Sequence, residues 1–475
     1  MSWFALIGIG VWLHAADSLV TATIAPSIIL DLGGVAYINW TISLYQVGAI
    51  IAGAGAAVFC LEWGIKRVFI GATVMYAIGC VMGAAANSMA TLLAGRLVQG
   101  LGGGMLLSIC YVAVEAWFEP AVWARLFAFV ATIWGGGSML GPLVGAAFAG
   151  RTVWRNAFWA FAIQAAIVGL LAWRIMPAKD EAPKSPAETA KAAAHGSPIL
   201  HPTQRWPVLP LLVLAAATFI IAEAGALSGR SGGVATSIIG ILLGTLLLYV
   251  AARIDRRGPV RLLPAQLLDT HHPVGAGLMM VFALATATTG FWAYGPLILK
   301  ILFDTRPVVI GYILAGESIA WSLGTMAASA AKPTHDRWLI RSGALGIALG
   351  AAGFAIAVPT GSMIGMVACA LVQGAGFGMC WPAVVQRTVR FSHAAERSTA
   401  SASVSTMQRI GYAVGTAAVG IAANMSGLAE GATAAIAERA GIWVFAAFIP
   451  MLLIGVIFAW RFTARDESLD GGAAG

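Results

Sequence analysis

Long apolar runs divided by short polar turns recur from one end of this chain to the other. Each reaches about 20 residues, enough for an α-helix to cross the hydrocarbon core of a bilayer. Fourteen spans are expected, at roughly 3–30, 38–59, 67–87, 91–117, 124–150, 153–176, 207–227, 232–252, 273–299, 307–331, 338–358, 361–386, 398–424 and 440–461. Spans 7 and 8 are parted only by the glycine-rich turn Ser228-Gly-Arg-Ser-Gly-Gly233. The longest polar stretch, 177–206, reads as a linker too short for a catalytic domain, and 254–272 as a second, basic linker.

Composition agrees with a membrane protein. Hydrophobic residues make up 59% of 475 and charged residues 10%, against about a quarter charged in a soluble domain. The mean hydropathy is +0.85. Basic residues set the orientation. With the N-terminus inside, the loops after even-numbered spans and the C-terminal tail hold twenty of the 28 Lys and Arg, the opposite loops six, and the spans two, Arg96 and Arg409. Lys and Arg concentrate on the cytoplasmic side, so both termini are expected inside, in a multi-pass protein of a bacterial inner membrane. The net charge of +8 is then a topology signal and gives no support to a nucleic-acid partner. No cleavable leader is evident, so span 1 is expected to stay. The five cysteines sit in or at the ends of spans without metal-ligand spacing. Neither a metal nor a cofactor is expected, and the working unit is expected to be a single chain.

Nine residues nearly repeat. Leu97-Val-Gln-Gly-Leu-Gly-Gly-Gly-Met105 returns as Leu371-Val-Gln-Gly-Ala-Gly-Phe-Gly-Met379, 274 positions later. The same offset lays Gly137 and Gly141 on Gly411 and Gly415, Glu62 on Asp336 and Arg67 on Arg341. The copies fall in spans 4 and 12, which run the same way, so the repeat is parallel. Residues 1–176 and 273–475 then form two six-helix bundles, the latter with a short tail, and 207–253 is an inserted hairpin. The charged residues are not repeated: Ala370 stands opposite Arg96, Thr416 opposite Pro142 and Gly135 opposite Arg409. On that ground the first half is the stronger candidate for coupling.

Arg96-Leu-Val-Gln-Gly-Leu-Gly-Gly-Gly, Gly137-Ser-Met-Leu-Gly-Pro-Leu-Val-Gly145 and Trp154-Arg-Asn-Ala-Phe158 resemble motifs of the major facilitator superfamily. Fourteen spans, Asp17-Ser-Leu-Val-Thr-Ala-Thr-Ile-Ala-Pro26 and Gln408-Arg-Ile-Gly411 are similar to its fourteen-span drug:proton antiporter branch. The resemblance implies an all-α membrane fold and transport of a small molecule against protons. Two departures stand out. Leu61 occupies the place of the family's Asp between spans 2 and 3, ahead of Glu62, Gly64, Lys66 and Arg67; Ala146 replaces the last Gly of the span 5 motif.

Four acids lie within spans: Asp17, Glu115, Glu223 and Glu317. A carboxylate at membrane depth is costly and marks a function by default. Depth favours Asp17 and Glu317 for proton coupling, while Glu115 and Glu223 lie near span ends, where an acid reaching water is as good a reading. His14 shares a face with Asp17; sharing a proton is one role, and satisfying a neighbouring helix is the favoured one. Arg96 and Gln99 also share a face, either as part of proton transfer, as the resemblance implies for Arg96, or as a fixed tie between spans 1 and 4. Arg409 could bind an anionic substrate or counter Glu317. Gly137, Gly141, Pro142 and Gly145 put small residues and a kink on span 5, and the resemblance implies packing on a second-half helix. Tyr45, Trp292 and Tyr294 are candidates for a substrate-lining surface, among many aromatics expected to face lipid. The expected activity is proton-coupled export of amphiphilic compounds, with symport or import of an organic anion as the alternative. No nucleophile constellation or sizeable soluble domain supports an enzyme.

Overall fold

The computed structural model describes residues 2–32, 38–148, 153–176, 207–227, 233–258, 261–305, 307–331, 333–393, 396–428 and 433–464. The expected linker 177–206 and the tail beyond 464 lie outside them. Each of the fourteen expected spans falls on helix. In chain order these are α1 (Ser2–Leu32), α2 (Ile38–Trp63), α3 (Ile65–Ala84), α4 (Met89–Trp117), α5 (Pro120–Phe148), α6 (Trp154–Ile175), α7 (Val208–Leu227) and α8 (Gly233–Arg257). They continue with α9 (Pro273–Ala287), α10 (Gly290–Phe303), α11 (Pro307–Ser329), α12 (Asp336–Ala357), α13 (Met363–Arg390), α14 (Arg397–Met425), α15 (Ala434–Ala446) and α16 (Ile449–Phe462). Among the described residues, nine stretches are long and apolar enough to cross a membrane on length and composition alone.

Two expected spans are broken. Span 9 divides into α9 and α10 at Thr288 and Thr289, whose hydroxyls donate to the carbonyls of Leu284 and Thr286 at 3.0 and 3.2 Å. Such local bonds compete with the helical ladder. Span 14 divides at Ala447 and Phe448, just before Pro450, which has no N–H to continue the helix.

The chain clusters into two compact units, Met1–Ala226 with Ile239–Leu263, and Leu227–Ile238 with Pro264–Gly475. In the first, α4 packs between α2 and α3, and α1 packs on α5. In the second, α13 packs between α11 and α12, and α9 packs on α14 and α16. The repeated string explains the shared part. Both copies start on equivalent caps: Ser88 and Ser362 accept from Thr91 and Gly365 N–H at 3.3 and 3.1 Å. The glycines that follow remove side chains where backbones meet. A Cβ at Gly100 would lie 2.8 Å from Tyr45 Cα, and one at Gly374, its repeat mate, 2.8 Å from the carbonyl carbon of Glu317. The string is therefore a packing device that draws α2 onto α4 and α11 onto α13. The inserted hairpin uses the same device, since a Cβ at Gly240 of α8 would meet Ala224 of α7 at 2.7 Å. Phe219 of α7 lies edge-on to Trp40 of α2, with ring centres 5.8 Å apart.

Candidate functional site: two buried carboxylates

Each copy of the string carries a glutamine, and each glutamine holds a carboxylate. In the first unit the acid is Asp17 of α1. Arg96 and Gln99 stand one turn apart on α4, both aimed at it. Arg96 Nη1 lies 2.7 Å from Asp17 Oδ2, and Gln99 Nε2 donates to Oδ1 at 2.9 Å. Thr21, one turn along α1, donates to the same Oδ1 at 3.3 Å. Arg96 is further fixed by donating to Gln99 Oε1 at 2.8 Å and, through Nε, to the carbonyl of Thr41 at 2.9 Å. Its guanidinium lies 4.4 Å from the centre of the Tyr45 ring. The Tyr45 hydroxyl meets His14 Nδ1, and Trp134 stands edge-on to the His14 ring. Asp17, Arg96, Gln99, Tyr45 and His14 are all at most 2% exposed. The formal charges cancel inside this cluster, the condition under which a buried pair is tolerated.

In the second unit the acid is Glu317 of α11. Gln373 of α13 donates to Oε1 at 2.7 Å, and Trp292 of α10 donates its indole N–H to Oε2 at 2.8 Å. Glu317 is 6% exposed and Gln373 1%. Both donors are neutral, and Arg409, buried on α14, is not among them. Gln373 is the repeat mate of Gln99, yet the acid it holds comes from the helix equivalent to α2, not from the one equivalent to α1. At the position equivalent to Asp17 stands Phe291, stacked on Phe354 with ring centres 4.5 Å apart. Ala370 replaces Arg96, so no cation enters from α13 at that point. The break at Thr288-Thr289 ends α9 just before Trp292, which occupies the first turn of α10.

The family model described as Major Facilitator Superfamily matches residues 7–416. The chain belongs to the major facilitator superfamily. It is 27% identical over 467 residues to a probable multidrug-efflux transporter of Mycobacterium tuberculosis, covering 97% of this chain and 94% of that protein. It is 30% identical to multidrug resistance protein 3 of Bacillus subtilis, over 35% of this chain and 32% of that one. Among solved structures, it superposes on a proton:xylose symporter with a TM-score of 0.65 at 17% identity, covering 97% and 95% of the two chains. On the human organic anion transporter MFSD10 the TM-score is 0.64 at 13% identity, covering 96% and 98%. At these identities the structural likeness speaks for the fold alone.

This major facilitator protein is thus a multi-pass membrane transporter, not an enzyme. Tyr45, expected at a substrate surface, is buried under Arg96. His14 takes a partner from a neighbouring helix, Tyr45 of α2. Gly137 is buried against α1, with its Cβ position 3.5 Å from Ala15 Cβ. Gly141 and Gly145 are buried on α5, which runs through Pro142 as helix. Trp292 is 40% exposed, and Tyr294 and Glu223 are partly exposed. The side chains of Glu115 and Pro142 lie outside the described ones. Glu62 and Arg67 are exposed around Gly64, whose φ of 80° suits glycine. Their repeat mates differ: Asp336 is buried, and Arg341 donates to Thr463 Oγ1 at 2.8 Å.

Four participants were not anticipated: Gln373, Thr21, Thr41 and Asp31. Gln373 could have been found from the repeat, as the mate of Gln99. Thr21 and Thr41 carry no sequence signal beyond polarity within apolar spans. Asp31, at the end of α1, pairs with Arg155 and accepts from Trp154 Nε1 at 3.2 Å, and Arg155 also donates to the carbonyl of Ala86 at 2.7 Å. The Trp154-Arg155 motif therefore ties the end of α1 to α6 and to the turn after α3.

Proposed function

We propose that this transporter exports small amphiphilic organic compounds in exchange for protons, by alternating access, with Glu317 as the group that takes up and releases the proton. The similarity over nearly full length to a probable multidrug-efflux transporter favours export. The neutral shell of Glu317 carries the proton assignment. Protonating Glu317 removes a formal charge from that shell and strands none. The amide of Gln373 can turn to accept the new O–H, and the Trp292 indole keeps its acceptor oxygen, so both protonation states find partners. Protonating Asp17 would instead leave the Arg96 guanidinium buried without its counter-charge, a costly arrangement. Asp17, Arg96, Gln99 and His14 accordingly act as one charged station that separates or stays closed as a whole.

Trp292 links substrate to proton. Its partly exposed ring offers a face to a flat or cationic compound, and its indole N–H holds Glu317. A bound cation and a proton then compete for one carboxylate, which is the coupling that antiport requires. Arg409, Gln99, Tyr45 and Tyr294 are left as candidates for substrate selection, and Glu115 as a second acid. Import of an organic anion would use Arg96 and Arg409, and the Arg96 guanidinium is already engaged by Asp17, Gln99 and Thr41. The arginine-rich ends of the spans face the cytoplasm of a bacterial inner membrane, both termini lie on that side, and one chain suffices.

The test is accumulation in a pump-deficient bacterial host of ethidium, tetraphenylphosphonium and a neutral amphiphile, with and without a protonophore. Wild type is expected to lower accumulation of at least one probe only while the proton gradient stands, and Glu317→Gln to lose that effect. No change with any probe overturns export. Export that survives the protonophore overturns proton coupling.

A further inference from the structure

At the arginine-rich end of the second unit, the first turns of α12 and the last turn of α16 enclose an open cavity of about 420 Å³. Arg337, Trp338, Arg341, Ser342, Leu345 and Trp460 line it. Arg337 and Arg341 stand at i and i+4, so both present their charge to the same side of α12. Arg341 is anchored: its Nε donates to Thr463 Oγ1 at 2.8 Å, and its guanidinium carbon lies 5.5 Å from the Trp460 ring centre. Among the described residues, no protein atom takes its two terminal nitrogens. The remainder of the wall is apolar and open, with Trp338 62%, Leu345 44% and Trp460 42% exposed. The lining holds two cations and no acid.

We infer that this cavity binds an anionic phospholipid, with the phosphate between Arg337 and Arg341 and an acyl chain along Trp338, Leu345 and Trp460. The depth fits. α12 is among the helices able to span a membrane and begins at Asp336, so the lining covers its first two to three turns, about 12 Å of axis. That is the zone in which headgroups give way to hydrocarbon and in which tryptophan collects. The charge fits as well, because basic pockets between helices on the cytoplasmic side attract anionic headgroups. A soluble anion would have no use for three large apolar side chains held open to its surroundings. The lining is not repeated in the first half of the sequence: the positions equivalent to Arg337, Trp338, Ser342 and Leu345 are Trp63, Gly64, Val68 and Gly71, and of the two arginines only Arg341 has a basic mate, Arg67. The inference needs only that these helices cross a bilayer with their arginine-rich ends on the cytoplasmic side, and it stands whether or not the protein exports drugs.

The full-length protein, purified in detergent, would be titrated with phosphatidylglycerol and its bound lipid counted by intact-complex mass spectrometry. Wild type should retain one phosphatidylglycerol more tightly than the others. Arg337→Gln with Arg341→Gln should weaken that binding about 25-fold, at about fivefold per arginine, while Arg341→Lys, which keeps the charge, should lose much less. Trp338→Ala should weaken it without touching either charge. Size-exclusion profile and melting temperature report whether each variant is folded, and Arg341→Lys with Trp338→Ala keeps the test alive if the double glutamine variant is not. Equal retention by wild type and the charge variants overturns the site. So does equal retention of phosphatidylcholine. Displacement by millimolar inorganic phosphate overturns the lipid assignment in favour of a free anion. Transport assays on the same variants read the export proposal separately.

Discussion

The two units answer the same problem, a carboxylate buried among helices, in opposite ways. The first surrounds Asp17 with a guanidinium, an amide and a hydroxyl, so its charge is balanced on the spot. The second surrounds Glu317 with an amide and an indole, so its charge is solvated and not balanced. The glutamine and the glycine beside it recur at one offset in both units, and the difference lies in what the equivalent glycines draw in. Gly100 brings Tyr45 of α2 against α4, where its ring supports Arg96; Gly374 brings Glu317 itself against α13. A repeated packing motif thus fixes where a polar group goes without fixing which one. Charge balance suits a tie between helices, and its absence suits a site whose charge comes and goes.

The largest effect expected is from Arg96→Met. It leaves Asp17 buried without its cation, a loss of about 3–5 kcal/mol, read as a lower melting temperature in detergent or as lost expression. Adding Asp17→Asn should restore most of it. A neutral single variant would break the comparison, since the first site would then not depend on balance. Next come Gln99→Leu and Gln373→Leu, each removing a donor to a charged group, at about 1.5–3 kcal/mol. Gln99 should cost more, because it also accepts from Arg96; equal losses would mean the two glutamines do the same work. Overpacking should then test the scaffold. Gly100→Leu and Gly374→Leu force apart equivalent helix pairs at about 1–3 kcal/mol each, and similar melting shifts in both would confirm a common device. The smallest effect on stability is expected from Trp292→Phe, which forfeits a bond to the same carboxylate from a ring that is 40% exposed, so that water offsets part of the loss and it falls to about 1 kcal/mol. Its transport of aromatic cations should nevertheless change more than that of a neutral probe.

Much of this was legible in the residues. Apolar runs of bilayer length fixed the spans, and the i, i+3 spacing of Arg96 and Gln99 put them on one face, in reach of a deep acid such as Asp17. The breaks were hidden, because Thr288-Thr289 and Ala447-Phe448 are neutral residues inside apolar runs, and their effect depends on local hydroxyl bonds and on Pro450. The second site was half visible. Glu317 stood out by depth, and Gln373, though not singled out, lay in the repeated string as the mate of Gln99. The surroundings of Glu317 were harder to see, because Trp292 read as a substrate-lining aromatic and the break that sets it in the first turn of α10 lies among neutral residues. Arg409 looked like a counter-charge for Glu317 because both lie deep in their spans, but depth in sequence carries no direction around a helix axis. Tyr45 looked like a surface aromatic for the same reason.

The central claim is that the proton is carried at Glu317 and not at Asp17. It is tested most directly by proton release from purified protein in weakly buffered detergent solution, followed with a pH-sensitive dye as a compound shown to be exported is added. Wild type and the Arg96→Met/Asp17→Asn double variant should both release protons on binding, and Glu317→Gln should bind the compound without release. Release that persists in Glu317→Gln and vanishes in the double variant would contradict the account and return the proton to Asp17.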